Sequence, residues 1–282
     1  VKSTSKFEVI PFDPTVRFGV LANGFTYYIK ENQEPAQRAS LRLFIRAGSI
    51  HEADDQKGVA HLVEHLAFNG SDHFESQEII DYMESLGMAF GPELNAETSF
   101  EKTKYILEIP TDDKEVIRTA FQILRDWANG ITLDKDEIDQ ERKVIEEEWR
   151  QMQGAYRRTQ YQVLDQLLEG SIYSERKPIG DMDVIRSVPF ARVRDYYHTW
   201  YRPERMAVAV VGDFDPDFVE SLVKDNFSFT VGTPEPQEPD TSIPAWKGNA
   251  VKIITDPELT GTHIKIYERV EVPKITTPSD YY

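Results

Sequence analysis

The residues best suited to catalysis lie in one short stretch, His61-Leu-Val-Glu64-His65. On an α-helix successive residues turn by about 100°, so the two histidines and the glutamate share one face. Histidines at positions i and i+4 can bind a single zinc ion, and a glutamate beside them can take a proton from a water molecule on that ion. The order is the inverse of the commoner His-Glu-x-x-His pattern. The stretch therefore predicts a zinc site in which Glu64 activates the water.

The histidine pattern alone has limited specificity for zinc. The chain contains six histidines, and such a stretch should arise by chance in about one of a hundred similar sequences. Two surface histidines on an acidic helix would give the same pattern, so the prediction needs a third ligand. The other histidines lack ligand spacing and are predicted to be surface or hydrogen-bonded residues: His51, His73, His198 and His263.

The third ligand is expected to be a carboxylate. A catalytic zinc ion takes three protein ligands and keeps one open position, and the chain has no cysteine. The richest candidate stretch is the acidic run 141–149. In a helix, Glu141 and Glu148 would lie together at one border of a buried apolar stripe. Glu147 would face solvent, and Glu146 would lie at the opposite border. The spacing therefore favours Glu141 or Glu148 and does not choose between them.

The elements that must position these residues are predicted from hydrophobic periodicity and turn residues. Strands are expected at 16–21, 25–30, 41–45, 103–109 and 206–211. Helices are expected at 57–68, 75–86, 112–128, 134–152, 156–169, 189–199 and 215–224. Strands first, then a long block of helices and a return to strand are typical of an α+β fold.

The last part of the chain differs in composition from the rest. Four prolines punctuate an acidic, turn-rich stretch that is typical of a linker: Pro234, Pro236, Pro239 and Pro244. Two later runs, 251–255 and 263–267, have the composition of strands but cannot form a core of their own. We therefore expect a catalytic domain at 1–232, a proline-rich linker at 233–250, and the opening strands of an incomplete second domain at 251–282.

Composition narrows the class of protein. Of the 282 residues, 40% are hydrophobic, which is enough for a substantial core. The net charge of −17 argues against nucleic acid or an anionic membrane surface as the main partner, because neither attracts an acidic protein. No apolar run approaches the roughly 18–20 residues that a membrane span requires. The absence of cysteine excludes disulfides and thiolate metal sites.

Further motifs accompany the zinc stretch over most of residues 16–230. In chain order they are Gly24-Phe25-Thr26-Tyr27-Tyr28, Arg46-Ala47-Gly48-Ser49 with Glu52, the run Gly58 to Gly70, Gly87-Met88, the run Asn95 to Phe100, Thr103 with Tyr105, Glu141-Arg142 through Glu148, Trp200-Tyr201-Arg202-Pro203 and Val211-Gly212-Asp213. Their combination resembles the pitrilysin/insulinase family of zinc peptidases (peptidase family M16), particularly its bacterial zinc proteases.

The resemblance implies roles for the acidic residues that spacing leaves open. In this family the third zinc ligand is the glutamate seven residues after the glutamate of a Glu-Arg pair. That position is Glu148 in this sequence. Glu141 then matches an accompanying acid that supports the site, and Glu64 matches the general base.

The resemblance also implies where a substrate binds. Asn95 and Ala96 match a segment at which the substrate lies as an added strand on a sheet edge, held by main-chain hydrogen bonds. Glu97 departs from the family pattern, because an aromatic or small residue is more usual at its position. This departure bears on the local subsite preference and not on the chemistry.

The family fold is a two-layer α/β sandwich, of the type found in mitochondrial processing peptidase, that occurs in duplicated copies. Two halves enclose the substrate chamber. The resemblance therefore implies that this chain is the N-terminal piece of a longer protein. A missing C-terminal half or a second subunit would be its partner.

The implied function is that of a zinc-dependent metalloendopeptidase, a hydrolase with Zn2+ as cofactor and a peptide or unfolded polypeptide as substrate. The bacterial resemblance implies a periplasmic or cell-envelope location. The alternative is a non-catalytic structural or interaction subunit. Such family members tend to lose motif residues, whereas this sequence has all four of them: His61, Glu64, His65 and Glu148. A ribosyl-thioether lyase shares the same helix motif and is excluded, because its third ligand is a cysteine.

Overall fold

One mixed β-sheet with a layer of helices on one face forms the body of the protein. The computed structural model describes residue 9 and residues 11–246, 248–270 and 275–281. The strands are β1 (Arg17–Val20), β2 (Thr26–Glu31), β3 (Arg38–Ile45), β4 (Leu94–Thr98), β5 (Thr103–Pro110) and β6 (Met206–Gly212). The helices are α1 (Val59–Leu66), α2 (Glu78–Ser85), α3 (Lys114–Asn129), α4 (Lys135–Gln151), α5 (Ala155–Leu167), α6 (Ile172–Glu175), α7 (Met182–Ser187), α8 (Phe190–Trp200), α9 (Pro216–Phe227) and α10 (Pro278–Tyr281).

The sheet has six strands in the order β1-β2-β6-β3-β5-β4. Neighbouring strands are antiparallel except β2 and β6, which are parallel. Strand β6 comes late in the chain and inserts between β2 and β3. The sheet is therefore complete only when the intervening helices have brought β6 back to it. Strand β4 lies at one edge.

The core lies between the sheet and the helices. In β3, Leu41, Leu43 and Ile45 are fully buried, whereas Arg42 between them is part-exposed and pairs with Glu108 on β5 at 3.3 Å. This alternation places one face of the sheet against the helices and leaves the other polar, as expected for a half-buried sheet. The predicted α+β, two-layer architecture is therefore present.

Most predicted elements occur, with ends shifted by a few residues, but four were missed: β4, α6, α7 and the four-residue α10. Strand β4 has the sequence Leu-Asn-Ala-Glu-Thr, whose Asn and Glu disfavour a strand. It forms because all five of its residues pair with β5. Helices α6 and α7, of four and six residues, are too short to show a helical period.

The two strands predicted at 251–255 and 263–267 are absent, so this prediction is wrong for the described residues. A strand exists only as part of a hydrogen-bonded ladder, and neither run pairs with another described segment. Their alternating apolar side chains are about nine-tenths exposed: Val251, Ile253, Ile264 and Ile266.

The stretch predicted as a linker has no helix or strand among its described residues, 233–246 and 248–250. Its first part is fixed to the body by two arginines. Arg202 donates to the carbonyl oxygen of Thr233 at 2.8 Å, and the buried Arg205 donates to Glu238 at 2.6 Å. In the part of the chain that the structure describes, no helix has the length and apolar character needed to cross a membrane.

Candidate metal centre

Helix α1 carries the zinc stretch and is fixed at both ends. Before it, the buried Glu52 accepts a hydrogen bond from the backbone N–H of Ala60 at 2.8 Å. After it, the indole N–H of Trp127 donates to the carbonyl oxygen of Ala67 at 2.8 Å. Gly58 begins the helix with a φ of 102°, a left-handed conformation that favours glycine. The direction of α1 is therefore set by contacts with the core.

The apolar face of α1 turns toward the interior, as predicted. Its apolar side chains are all at least 99% buried: Val59, Leu62, Val63 and Leu66. The opposite face carries His61, Glu64 and His65 and lies against helix α4 and strand β4. This packing, and not exposure to solvent, determines where the two imidazoles point.

Helix α4 brings both candidate carboxylates to α1. It begins at Asp134, whose side chain accepts hydrogen bonds from the backbone N–H groups of the first turn. Glu148 Oε2 lies 3.5 Å from His61 Nε2 and 3.7 Å from His65 Nε2. Glu141 Oε1 instead lies 2.8 Å from His65 Nδ1, on the far side of that ring. The structure thus separates two residues that spacing had left equivalent.

The geometry of these atoms fits a zinc ion. His61 Nε2 and His65 Nε2 are 3.1 Å apart. Together with Glu148 Oε2, these two atoms form a nearly equilateral triangle. Ligands of a tetrahedral zinc ion at 2.0–2.2 Å are roughly 3.3 Å from one another. Among the described residues, this trio is the group that could hold a metal.

The two histidines differ in their outer contacts. Glu141 accepts from His65 Nδ1 and is itself held by Asn69 Nδ2 at 2.7 Å. This arrangement leaves the lone pair of His65 Nε2 for a metal, as is usual for ligating histidines. His61 Nδ1 is buried and has no hydrogen-bond partner among the described residues. Burial, together with the nearby His65, lowers the pKa of His61 to about 3, so this imidazole is neutral and able to act as a ligand.

Glu64 lies in the same site and is 7% exposed. Burial raises the pKa of its carboxyl group, although His65 and hydrogen bonds from the hydroxyl and backbone N–H of Thr98 oppose part of that rise. A carboxylate with a raised pKa is a better proton acceptor near neutral pH. The site therefore holds a base beside the group that could bind the metal.

The edge strand β4 passes this site. Thr98 at its end contacts Glu64, and Asn95 and Ala96 are part-buried along the strand. The side chain of Asn95 accepts a hydrogen bond from the Ala96 N–H at 2.8 Å. The family resemblance predicts a substrate at these two residues, and they lie on the edge strand that packs against α1.

Three supporting residues were not given a role from the sequence. Asn69 was interpreted as part of a helix stop signal, and Thr98 and Glu52 each appeared only as one residue of a family motif. Asn69 donates to Glu141 on α4, Thr98 contacts Glu64 on α1, and Glu52 accepts from Ala60 at the start of α1. The only available signal was that each belongs to a motif. His51 and His73 were predicted to be surface or hydrogen-bonded residues, and both form hydrogen bonds.

Comparison with known protein families agrees with this site. The insulinase model of peptidase family M16 matches residues 27–176, and the model of the peptidase M16 inactive domain matches residues 187–281. The chain belongs to peptidase family M16. The region matched by the inactive-domain model contains β6, which lies between β2 and β3 of the region matched by the insulinase model.

Several relatives are named zinc proteases. The probable zinc protease PqqL of Haemophilus influenzae is 45% identical over 219 residues, which are 78% of this chain and 24% of that protein. PqqL of Escherichia coli is 35% identical over 272 residues, which are 96% of this chain and 29% of that protein. The chain thus spans about a quarter of the length of these relatives.

A solved structure shows the same fold. The first half of the periplasmic protease PqqL from Escherichia coli superposes with a TM-score of 0.79 at 36% identity. The match covers 84% of this chain and 51% of that one. The predicted family and the predicted two-layer fold are both confirmed.

Proposed function

We propose that this chain carries the zinc site of a metalloendopeptidase that hydrolyses peptide bonds. The observation that carries the proposal is the convergence of His61, His65 and Glu148 beside the buried Glu64, with Nε2–Nε2 and Nε2–Oε2 distances of 3.1–3.7 Å. The names of the M16 relatives support the same chemistry.

Each residue has a role in this proposal. His61, His65 and Glu148 would hold the ion, and Glu141 would orient His65 through Nδ1. A zinc ion there supplies a Lewis acid that polarises the scissile carbonyl and acidifies water. Glu64 takes the proton of the attacking water and passes it to the leaving amine. Burial of Glu64 supports this role, because it weakens the competing preference for the ionised form.

The substrate in this proposal is a peptide or an unfolded polypeptide. It would lie along β4 at Asn95 and Ala96 and extend the sheet by one strand. Its carbonyl would displace the Asn95 side chain from the Ala96 N–H. A second half or subunit would complete the chamber, and a periplasmic or cell-envelope location is proposed from the described location of the Escherichia coli relative.

Replacing Glu64 by Gln tests the proposal. The amide keeps the size of the side chain but cannot accept the proton, so cleavage of a reporter peptide by the zinc-loaded chain should fall by roughly a hundredfold to ten-thousandfold. Zinc content, measured by mass spectrometry of the dialysed protein, should stay near one ion per chain.

Glu147→Gln is the matched control, because Glu147 lies on α4 and pairs with Arg150 instead of the site. Full activity in Glu64→Gln would remove Glu64 from the role of base. Tight zinc binding by a protein that cleaves nothing even when its second half is present would favour the alternative of a non-catalytic interaction subunit.

A further inference from the structure

The open edge of β4 has a defined hydrogen-bonding direction. The backbone N–H of Ser99 donates to the carbonyl oxygen of Lys102 at 2.8 Å, which fixes one hydrogen-bonded pair of the β4–β5 ladder. Such pairs alternate with non-bonded pairs along antiparallel strands. The main-chain groups of Glu97 therefore point toward β5, and those of Ala96 point to the free edge. A peptide added there would bond to Ala96.

Side chains alternate across the same strand. Ala96 and Thr98 face the helix layer, where Thr98 contacts Glu64. Glu97 faces the opposite side of the sheet and pairs with Lys104, its register partner on β5, at 2.7 Å. Its side chain is 58% exposed, whereas that of Lys104 is 20% exposed. Glu97 therefore carries its carboxylate on the outermost strand of this face, with Lys104 as its ion-pair partner and Lys102 also close enough to lower the pKa of that carboxyl group.

One oxygen of Glu97 is available to a new partner. Lys104 contacts Oε2, and no hydrogen bond to Oε1 occurs among the described residues. The residue of an added strand that lies level with Glu97 has its side chain on the same face, whether the peptide runs parallel or antiparallel. That side chain would lie on the side of Glu97 that Lys104 does not occupy.

We infer that Glu97 is a specificity-determining residue that favours a peptide with Lys or Arg at the position level with it on the β4 edge. The inference rests on the proposed function, because it deepens the description of the same site. Opposite charges directly across neighbouring strands attract, and like charges repel. The expected preference is up to about fivefold for Lys over Gln, and larger for Lys over Glu.

The preference should act next to the bond that is cleaved. Thr98 follows Glu97 directly and contacts Glu64, so the favoured position lies within one or two residues of the bond presented to that base. Overall charge acts differently, since a net charge of −17 attracts any cationic peptide at any position. A fixed distance between the cation and the cleaved bond distinguishes the local effect from the general one.

The test uses a set of otherwise neutral peptides in which a single Lys, Gln or Glu is placed at each position in turn. Cleavage by the zinc-loaded chain is followed by mass spectrometry, which gives kcat/KM and the cleaved bond. Lys should be favoured over Glu at one position relative to that bond. Glu97→Gln should reduce the ratio to near one, and Glu97→Lys should invert it. Raising the salt concentration should weaken the preference.

Glu108→Gln is the matched control. Glu108 is also ion-paired, to Arg42 at 3.3 Å, and also lies on the outer face, but on β5 and one strand from the edge. It changes the net charge by the same amount and should leave the ratio unchanged. A Glu97→Gln variant that keeps the parental ratio, or a Glu108→Gln variant that loses as much, would overturn the inference.

Binding separates this inference from the proposed function. The anisotropy of the same peptides, fluorescently labelled, is measured with the zinc-loaded Glu64→Gln chain, with and without Glu97→Gln. A Lys preference that depends on Glu97, found while the parental zinc-loaded protein with its second half present cleaves none of these peptides, would retain the specificity inference and reject the peptidase proposal. Cleavage without any charge preference would retain the peptidase proposal and reject the specificity inference.

Discussion

The helix pair α1–α4 and the edge strand β4 meet at Glu64 but are built in opposite ways. On the helices, Glu64 and Glu141 are 7% and 9% exposed. On the strand, Glu97 is exposed, and the Ala96 N–H is covered only by a neighbouring side chain. Buried groups are held by the core, whereas exposed edge groups can change without disturbing it. In the proposed function, the helices carry the chemistry and the strand selects the peptide.

The largest expected effect comes from the helix side, where different roles are proposed for Glu148 and Glu141. Glu148→Gln removes a ligand atom and should weaken zinc binding by more than about a hundredfold. Glu141→Gln removes only the charge behind His65, and outer partners of this kind contribute about 10- to 100-fold in metal affinity. Competition with a chelating dye measures both, with Glu147→Gln as the control. Equal losses for the two variants would contradict the assignment of Glu148 as ligand.

A second effect concerns the start of α1. Burial raises the pKa of Glu52 from its ordinary value of 4.5 to about 8, against hydrogen bonds from the N–H groups of Gly58 and Ala60. The folded protein therefore retains a proton that the unfolded chain releases, and stability falls as the pH rises from about 4.5 to about 8.

Glu52→Gln should remove this loss, because the amide cannot ionise and still accepts from Ala60. We expect the variant to gain about 4 kcal/mol relative to the parent between pH 5 and pH 8.5. Urea unfolding in the presence of a chelator measures it. Glu84→Gln, at an exposed site on α2, is the control. If the free energies of unfolding of variant and parent differed by the same amount at both pH values, Glu52 would be ionised in the folded state.

The smallest effect should come from the edge strand. Ala96→Pro removes the N–H that points away from β5, and proline is tolerated where an edge N–H faces solvent. The fold and zinc content should be retained, while peptide affinity falls about two- to tenfold through the loss of one hydrogen bond. Ala96→Ser keeps the N–H and is the control. Loss of zinc in Ala96→Pro would show that the two regions are not separable.

Much of the helix side was predictable from the sequence. The spacing of His61, Glu64 and His65 depends only on the helical period, and the apolar residues between them marked the buried face. The choice between Glu141 and Glu148 did not follow from spacing, because both border the same stripe of α4, and only the family resemblance predicted Glu148 as the ligand. The distance of Glu148 from both Nε2 atoms depends on how α4 crosses α1, which is a tertiary property.

The strand side was less predictable. Strand β4 has weak propensity and exists because β5 pairs with it. The opposite error occurred at 251–255 and 263–267, where strand-like sequences have no partner among the described residues. Strand formation requires a partner strand. Local sequence therefore underestimates it at β4 and overestimates it at 251–255 and 263–267.

The sequence by itself determined the chemical groups, their helical face and the family. These features depend on residue type and on a short period that the backbone imposes locally. Only the tertiary structure decided that Glu148 faces both histidines while Glu141 lies behind one of them. It also decided that Glu97 occupies the open edge with Lys104 on its inner side. These placements depend on packing between segments far apart in the chain, which no local pattern encodes.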